Sequence, residues 1–268
     1  MPLEPSAAEL LTAVQASPTA VAAHDKSAWV DLFAVDAEVN DPVGARPHVG
    51  RAAIERFYDT FIGPNEISFR VERDIVHPPT VVRDLTIETT MSTGARVSVP
   101  MHLRYQLTED TDGWKITQLA AHWELAPMIV QLLRTGPSGF GAALQLGPQL
   151  IRHQGVSGAL GMLRALGGVG RTGKRVSSRL FAAAGSTDIV RVRGLLGHYA
   201  VVEFPAGTPV SAEEFTNRAR NMRWGKLIAA GRTVSASVRF GDTRGVAFVE
   251  FAAGAPSIAS LRFFLDRA

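Results

Sequence analysis

The sequence predicts an α+β fold, and three observations predict it. Apolar residues recur at helical spacing up to Ile62, then alternate with polar ones from Glu66 to Leu125. A shortened version of that order, helix then short strand then helix then alternating strands, returns between residues 187 and 268. The segment between them, 127–186, is rich in Gly, Ala and Leu and reads as a helical linker.

The elements follow in order. "AELLTAVQASPTAVAAHDKSAWVDLFA" is helical, with interruptions expected at Pro18 and around His24–Asp25. "VNDPVG" is a short extended piece. "RAAIERFYDTFI" places Ile54, Phe57, Tyr58 and Phe61 on one helical face. "EISFRVERDIV", "TVVRDLTIETTMS", "ARVSVPMHLRYQLTE" and "GWKITQLAAHWEL" are four strands, with "STGA" and "EDTDG" as hairpin punctuation. In the second half, "YAVVEFPAG" is a strand and "SAEEFTNRARNMRWGKLIAAG" reads as a helix. Its Ser211 and Glu214 have capping-box spacing. "RTVSASVRFG", "GVAFVEFA" and "PSIASLRFFLD" are three further strands. Three domains are therefore expected: 1–126, the linker 127–186, and 187–268. "VNDPVG" and "VEFPAG" hold the same place in the two halves, with Phe204 standing where Asp41 stands, so the second half is expected to be a degenerate copy of the first.

Composition narrows the functional classes. The chain has 268 residues, 46% of them hydrophobic and 20% charged, which suits a globular protein with a substantial core. No cysteine occurs, so disulfides and thiolate-bound metals are excluded, and a reducing cytoplasm is the expected location. The N-terminus lacks the basic cluster of a secretory signal. The net charge of +3 is unevenly spread. Leu125 to Thr187 holds seven Lys or Arg and no acid, leaving the rest of the chain net acidic. Those cations alternate with apolar residues, so 127–186 is either a peripheral membrane contact or a solvated connector. Gly168 to Lys174 approaches a phosphate-loop spacing, but Arg175 occupies the hydroxyl position and no strand precedes it. The histidines lack zinc spacing, and nothing in the basic segment resembles a nucleic-acid-reading motif.

Asp41 is the residue that most needs explaining. An acid before proline is a common turn device. Between Val39, Pro42 and Val43 it is also placed to be a base whose proton affinity is raised by apolar surroundings, although the residues alone favour the turn. Pro42 limits Asp41 to extended backbone, which fixes the direction of the carboxylate.

"LFAVDAEVNDPVGARPHVGRAAIERFYDTFI", followed by "VSVPMHLRYQL" and "WKITQLAAHWEL", resembles the ketosteroid isomerase branch of the SnoaL-like, or nuclear-transport-factor-2-like, superfamily. The resemblance covers residues 1–126 and implies a curved sheet and helices forming a cone around an apolar pocket. It implies that Asp41 is the catalytic base, that Tyr58 supports the network of oxyanion donors, and that Trp123 lines the pocket. Phe33 is expected to join them in binding substrate. His102 falls where the branch has a protonated aspartic acid as a donor, and the branch's principal tyrosine donor would fall near Ser17. His102 alternates with Met101, Leu103 and Tyr105, which face the other way.

Three functions follow from these residues. The first is an isomerase moving a double bond next to the ketone of a steroid-like substrate through Asp41, with His102 holding the enolate oxygen and no cofactor. The second is a lyase or cyclase with His102 as its main base. The third is a non-catalytic carrier of hydrophobic ligands. The resemblance also implies a homodimer, or an intramolecular pseudo-dimer built with the second half.

Overall fold

A computed structural model describes residues 6–136, 167–254 and 257–266. The chain divides into two compact units, Met1–Leu166 and Gly167–Ala268. Half of the expected connector, 137–166 with its cations Arg152 and Arg164, lies outside the described residues.

The first unit opens with helix α1, Ala7–Ala22, whose start is fixed by a reciprocal cap. Glu9 N–H donates to Ser6 Oγ, and the Ser6 N–H donates back to the Glu9 carboxylate. The helix continues through Pro18, contrary to the expected interruption, and buries Leu10, Val14, Ser17, Ala20 and Val21 along one stripe. Burial of Leu10 alone stabilises the fold by about 2 kcal/mol. Helix α2, Lys26–Val30, is capped by Asp25, whose side chain accepts from Ala28 N–H. Strand β1, Phe33–Asn40, follows, then β2, His48–Val49.

Helix α3, Arg51–Phe57, does not extend as one α-helix to Ile62. Tyr58–Ile62 forms a π-helical turn, closed by Gly63 N–H donating to the Tyr58 carbonyl at 2.8 Å. The wider turn rotates the side chains that follow it away from the helical spacing the sequence suggested. The four anticipated strands are present as β3 (Glu66–His77), β4 (Thr80–Thr90), β5 (Arg96–Asp110) and β6 (Gly113–His122). Helix α4, Leu125–Arg134, packs on β5.

The sheet order is β2-β1-β6-β5-β4-β3, antiparallel except where β1 runs parallel to β6. Register decides which residues face inward, because a one-residue slip would exchange the two faces. Val81 pairs with Tyr105, Arg83 with Leu103 and Leu85 with Met101 on the inner face. Asp84 pairs with His102, and His102 with His122, on the outer one.

The second unit begins with α5 (Gly170–Gly185), whose sequence falls in the expected connector, and α6 (Ile189–Leu195). These are followed by β7 (Leu196–Glu203), α7 (Ala212–Arg218), β8 (Arg223–Ala230), β9 (Thr233–Phe240), β10 (Thr243–Phe251) and β11 (Ile258–Leu265). Its sheet order is β7-β11-β10-β9-β8, with β7 parallel to β11. The long helix expected from Ser211 stops at Arg218 because Asn221 takes a left-handed backbone (φ 61°) and donates its N–H to the Gly185 carbonyl. Ser211 caps this helix by accepting from Glu214 N–H, while the Glu214 carboxylate pairs with Arg218 instead of closing the box. Phe204, Phe215, Phe240 and Phe263 meet in one aromatic cluster, with Phe263 fully buried at its centre.

Candidate active site

The parallel pairing of β1 with β6 builds the site. Asn40 lies beside Ala120, and Val43 N–H donates to the Ala121 carbonyl at 2.9 Å. Asp41 therefore leaves the end of β1 alongside the residue that follows β6, Trp123. The indole Nε1–H of Trp123 donates to Asp41 Oδ1 at 2.6 Å. The peptide bond between Asp41 and Pro42 is cis.

Both side chains lie in the wall of a cavity of about 180 Å³ inside the first unit. Apolar groups dominate the wall, among them Phe57, Phe61, Phe69, Ile87, Met101 and Leu103. Ser17, Trp29 and Tyr105 join the wall from α1, α2 and β5. Asn65 and Thr89 also contribute.

Removal from water dominates the electrostatics. It raises the Asp41 carboxyl to about 6, and the opposing hydrogen bond from Trp123 offsets only part of that rise. A carboxylate with that affinity is mostly ionised at neutral pH, yet holds a proton about a hundredfold better than an ordinary aspartate. Burial likewise pushes the Tyr105 hydroxyl up to about 12, against the Arg83 charge and a hydrogen bond with Ser17, which lower it. Tyr105 thus keeps its proton at any working pH and can serve as a donor.

The residues singled out in the sequence separate into two groups. Asp41 and Trp123 come together at the cavity. His102 does not join them. It is fully buried on the opposite face of β5, with Nε2 3.5 Å from Asp84 Oδ1. The expectation that it holds an enolate oxygen or acts as a base is corrected by the pleat itself, which turns Met101, Leu103 and Tyr105 inward instead. Phe33 and Tyr58 are also absent from the cavity wall. Both pack against Trp29, with ring centroids 4.7 and 5.6 Å away, so the indole is the group that reaches the cavity. The Tyr58 hydroxyl is buried with no hydrogen-bond partner among the described residues. From this segment Phe57, Phe61 and Ile62 line the cavity and Tyr58 does not.

Tyr105, Ser17 and Trp29 were not among the expected site residues. Strand alternation had already set Tyr105 opposite His102, and that signal pointed to the correct face.

A family model for the SnoaL-like domain matches residues 14–118. The Steroid Delta-isomerase of Nocardioides simplex is 33% identical over 127 residues, which span 46% of this chain and 96% of that protein. The chain belongs to the SnoaL-like family. The family match falls within the first unit, the one that holds the cavity. Among solved structures, a Delta 5-3-ketosteroid isomerase from Mycobacterium sp. is 30% identical, with 44% of this SnoaL-like chain and 95% of that one covered at a TM-score of 0.41. A Mycobacterium tuberculosis protein crystallised with estradiol-17beta-hemisuccinate is 26% identical, with 44% and 95% covered and a TM-score of 0.41.

Proposed function

We propose that this SnoaL-like protein is an isomerase that moves a double bond into conjugation with a ketone in a steroid-like hydrophobic substrate. The observation that carries the reading is the Asp41 carboxylate, held by Trp123 in the wall of an apolar cavity. The likeness to a steroid Delta-isomerase supports the choice of reaction.

Asp41 takes a proton from the carbon beside the carbonyl. The C–H pair becomes the new double bond of a dienolate, and the carbonyl pair moves onto oxygen, which carries the negative charge. The oxygen pair then re-forms the ketone, the enolate pair shifts to the conjugated position, and the pair of the original double bond takes the proton back from the same carboxyl, two carbons further along. Atoms and charge balance with no electron acceptor. One carboxylate serves both transfers because the apolar wall keeps water from competing for the proton. Trp123 fixes one carboxylate oxygen, so its position does not have to be found anew in each step.

The test is an absorbance assay. An unconjugated 3-ketosteroid gains a strong ultraviolet band when its double bond comes into conjugation. Full-length protein should produce that band, and Asp41→Asn should lower the rate at least a thousandfold, since the general base contributes most of the chemistry. Absence of turnover on unconjugated ketosteroids of several side-chain lengths would defeat the reading.

The second unit reads as a degenerate copy of the first, with aromatic side chains packed in its interior. Supporting this are the matching strand order, the parallel pairing of the first and last strands, and Phe204 standing where Asp41 stands. The Phe204–Phe215–Phe240–Phe263 cluster takes up the interior that a ligand would need. Calorimetric titration with a steroid ligand should therefore give one equivalent per chain, and two equivalents would overturn this assignment.

A further inference from the structure

The isomerase reading leaves the ketone oxygen without a partner, because His102 faces away from the cavity. We infer that Tyr105 is the catalytic donor to that oxygen, and that Trp29 and Ser17 are positioning residues that aim its hydroxyl. The inference rests on the isomerase reading and goes beyond it by assigning a donor set.

Hydrogen-bond bookkeeping gives the direction of the chain. Trp29 Nε1–H can only donate, and it donates to Ser17 Oγ at 3.1 Å. Ser17 and Tyr105 line the same cavity, and hydrogen bonding from Ser17 favours the ionised form of the Tyr105 hydroxyl. In the same helix, Thr12 and Thr19 spend their hydroxyl protons on carbonyls one turn back. Ser17 has no such bond among the described residues, so its one proton is available to the Tyr105 oxygen. The Tyr105 proton is then left to point into the cavity, whose wall it shares with Asp41. All three side chains are at least 96% buried, so water does not compete along the chain. Bonds in such a series polarise one another, and each donor strengthens the next.

The arrangement also accounts for Ser17. A serine on α1 cannot itself span the cavity, but it can brace a tyrosine that reaches across from β5. The Arg83 charge, which favours negative charge on the Tyr105 oxygen, works in the same direction. During the reaction, electron density moves onto the ketone oxygen as Asp41 accepts the proton. A donor fixed beforehand stabilises that oxygen more than it stabilises the neutral ketone.

The experiment uses the full chain and two readouts. The first is isomerase turnover. The second is binding of 2-naphthol, an aromatic enol whose fluorescence differs between its neutral, strongly hydrogen-bonded and ionised forms. Tyr105→Phe should lower kcat about a hundredfold to a thousandfold with KM nearly unchanged. It should also weaken 2-naphthol binding at least tenfold and return its emission to that of the free neutral form. Ser17→Ala keeps the tyrosine and removes only its brace. It should shift the emission in the same direction and lower kcat about tenfold, and it decides the matter if Tyr105→Phe fails to fold. Unchanged naphthol emission and affinity in these variants would overturn the assignment, whatever the turnover. If the native protein isomerises no ketosteroid, the isomerase reading falls by itself. The donor assignment then stands or falls on the naphthol readout, and failure of the native protein to bind naphthol would end it.

Discussion

Trp123 Nε1 and Asp41 Oδ1 lie 2.6 Å apart, and this one bond joins the end of β1 to the residue that follows β6. It opposes burial. Burial makes Asp41 a stronger base, and the indole N–H makes it a weaker one, with burial the larger influence. The carboxyl therefore titrates near 6, within reach of ordinary assays. Isomerase kcat/KM should fall about tenfold per pH unit below that midpoint, as the fraction of ionised base falls, and level off above it. Trp123→Phe removes the opposing bond, so its midpoint should move to higher pH. A limb that stays in place or moves down would break the link between Trp123 and the base. The initial rate at low substrate concentration, measured from pH 4.5 to 8, is the check.

The same carboxyl makes stability depend on pH. Its folded value lies above the ordinary 3.8, so the folded state holds the proton more tightly than the unfolded chain. Below 3.8 both states are protonated and Asp41 costs nothing. As pH rises through about 6, the folded state must carry a desolvated charge and stability is lost. Two pKa units correspond to about 3 kcal/mol, reduced here because the side chain is only partly buried. Asp41→Asn carries no charge, so it should match the native protein at pH 4 and melt several degrees higher at pH 8. Equal melting temperatures at both pH values would mean that Asp41 is well solvated.

Much of this fold was legible because its strands are long and alternate cleanly. β3 to β6 match the sequence reading to within a few residues, since each shows one apolar and one polar face. What alternation could not give was the geometry that depends on partners. β1 is a strand because β6 lies parallel beside it, a pairing with no local signal. The π-helical turn at Tyr58 and the left-handed Asn221 each changed the meaning of an otherwise good helical pattern. At the site, Asp41 was legible from its motif. His102 was not, because matching it to a position of the family it resembles ignores which way its strand faces. Tyr105 was legible only in retrospect, as the inward neighbour of a residue chosen for its chemistry.

Phe263 should be the most sensitive position in the second unit. It is fully buried and contacts Phe181, Phe204, Phe215 and Phe240. Phe263→Ala removes the ring shared by four others and leaves a hole that rigid aromatic neighbours fill poorly. The expected loss is about 3 to 5 kcal/mol, read as a lower urea midpoint by near-ultraviolet circular dichroism. Phe263→Leu restores most of the volume and should recover more than half of that loss. A cost below 1 kcal/mol for the alanine variant would show that the cluster collapses freely.

Arg83 offers the sharpest test of the electrostatics behind Tyr105. Its guanidinium is buried and grips Asp74 twice, with Nε to Oδ1 at 2.7 Å and Nη2 to Oδ2 at 3.2 Å. Removing one partner of such a pair leaves the other charge buried without compensation, and that is what makes the loss large. Asp74→Ala should cost about 3 to 5 kcal/mol by urea denaturation. Replacing both residues together, as Asp74→Leu with Arg83→Met, should cost much less than the single change, because no charge is then stranded. The double variant also lacks the positive charge that favours electron density on the Tyr105 oxygen, so it should fold yet turn over more slowly than the native protein. If the double variant instead retains full turnover, Arg83 serves the packing of β3 on β4 and has no part in the chemistry of the cavity.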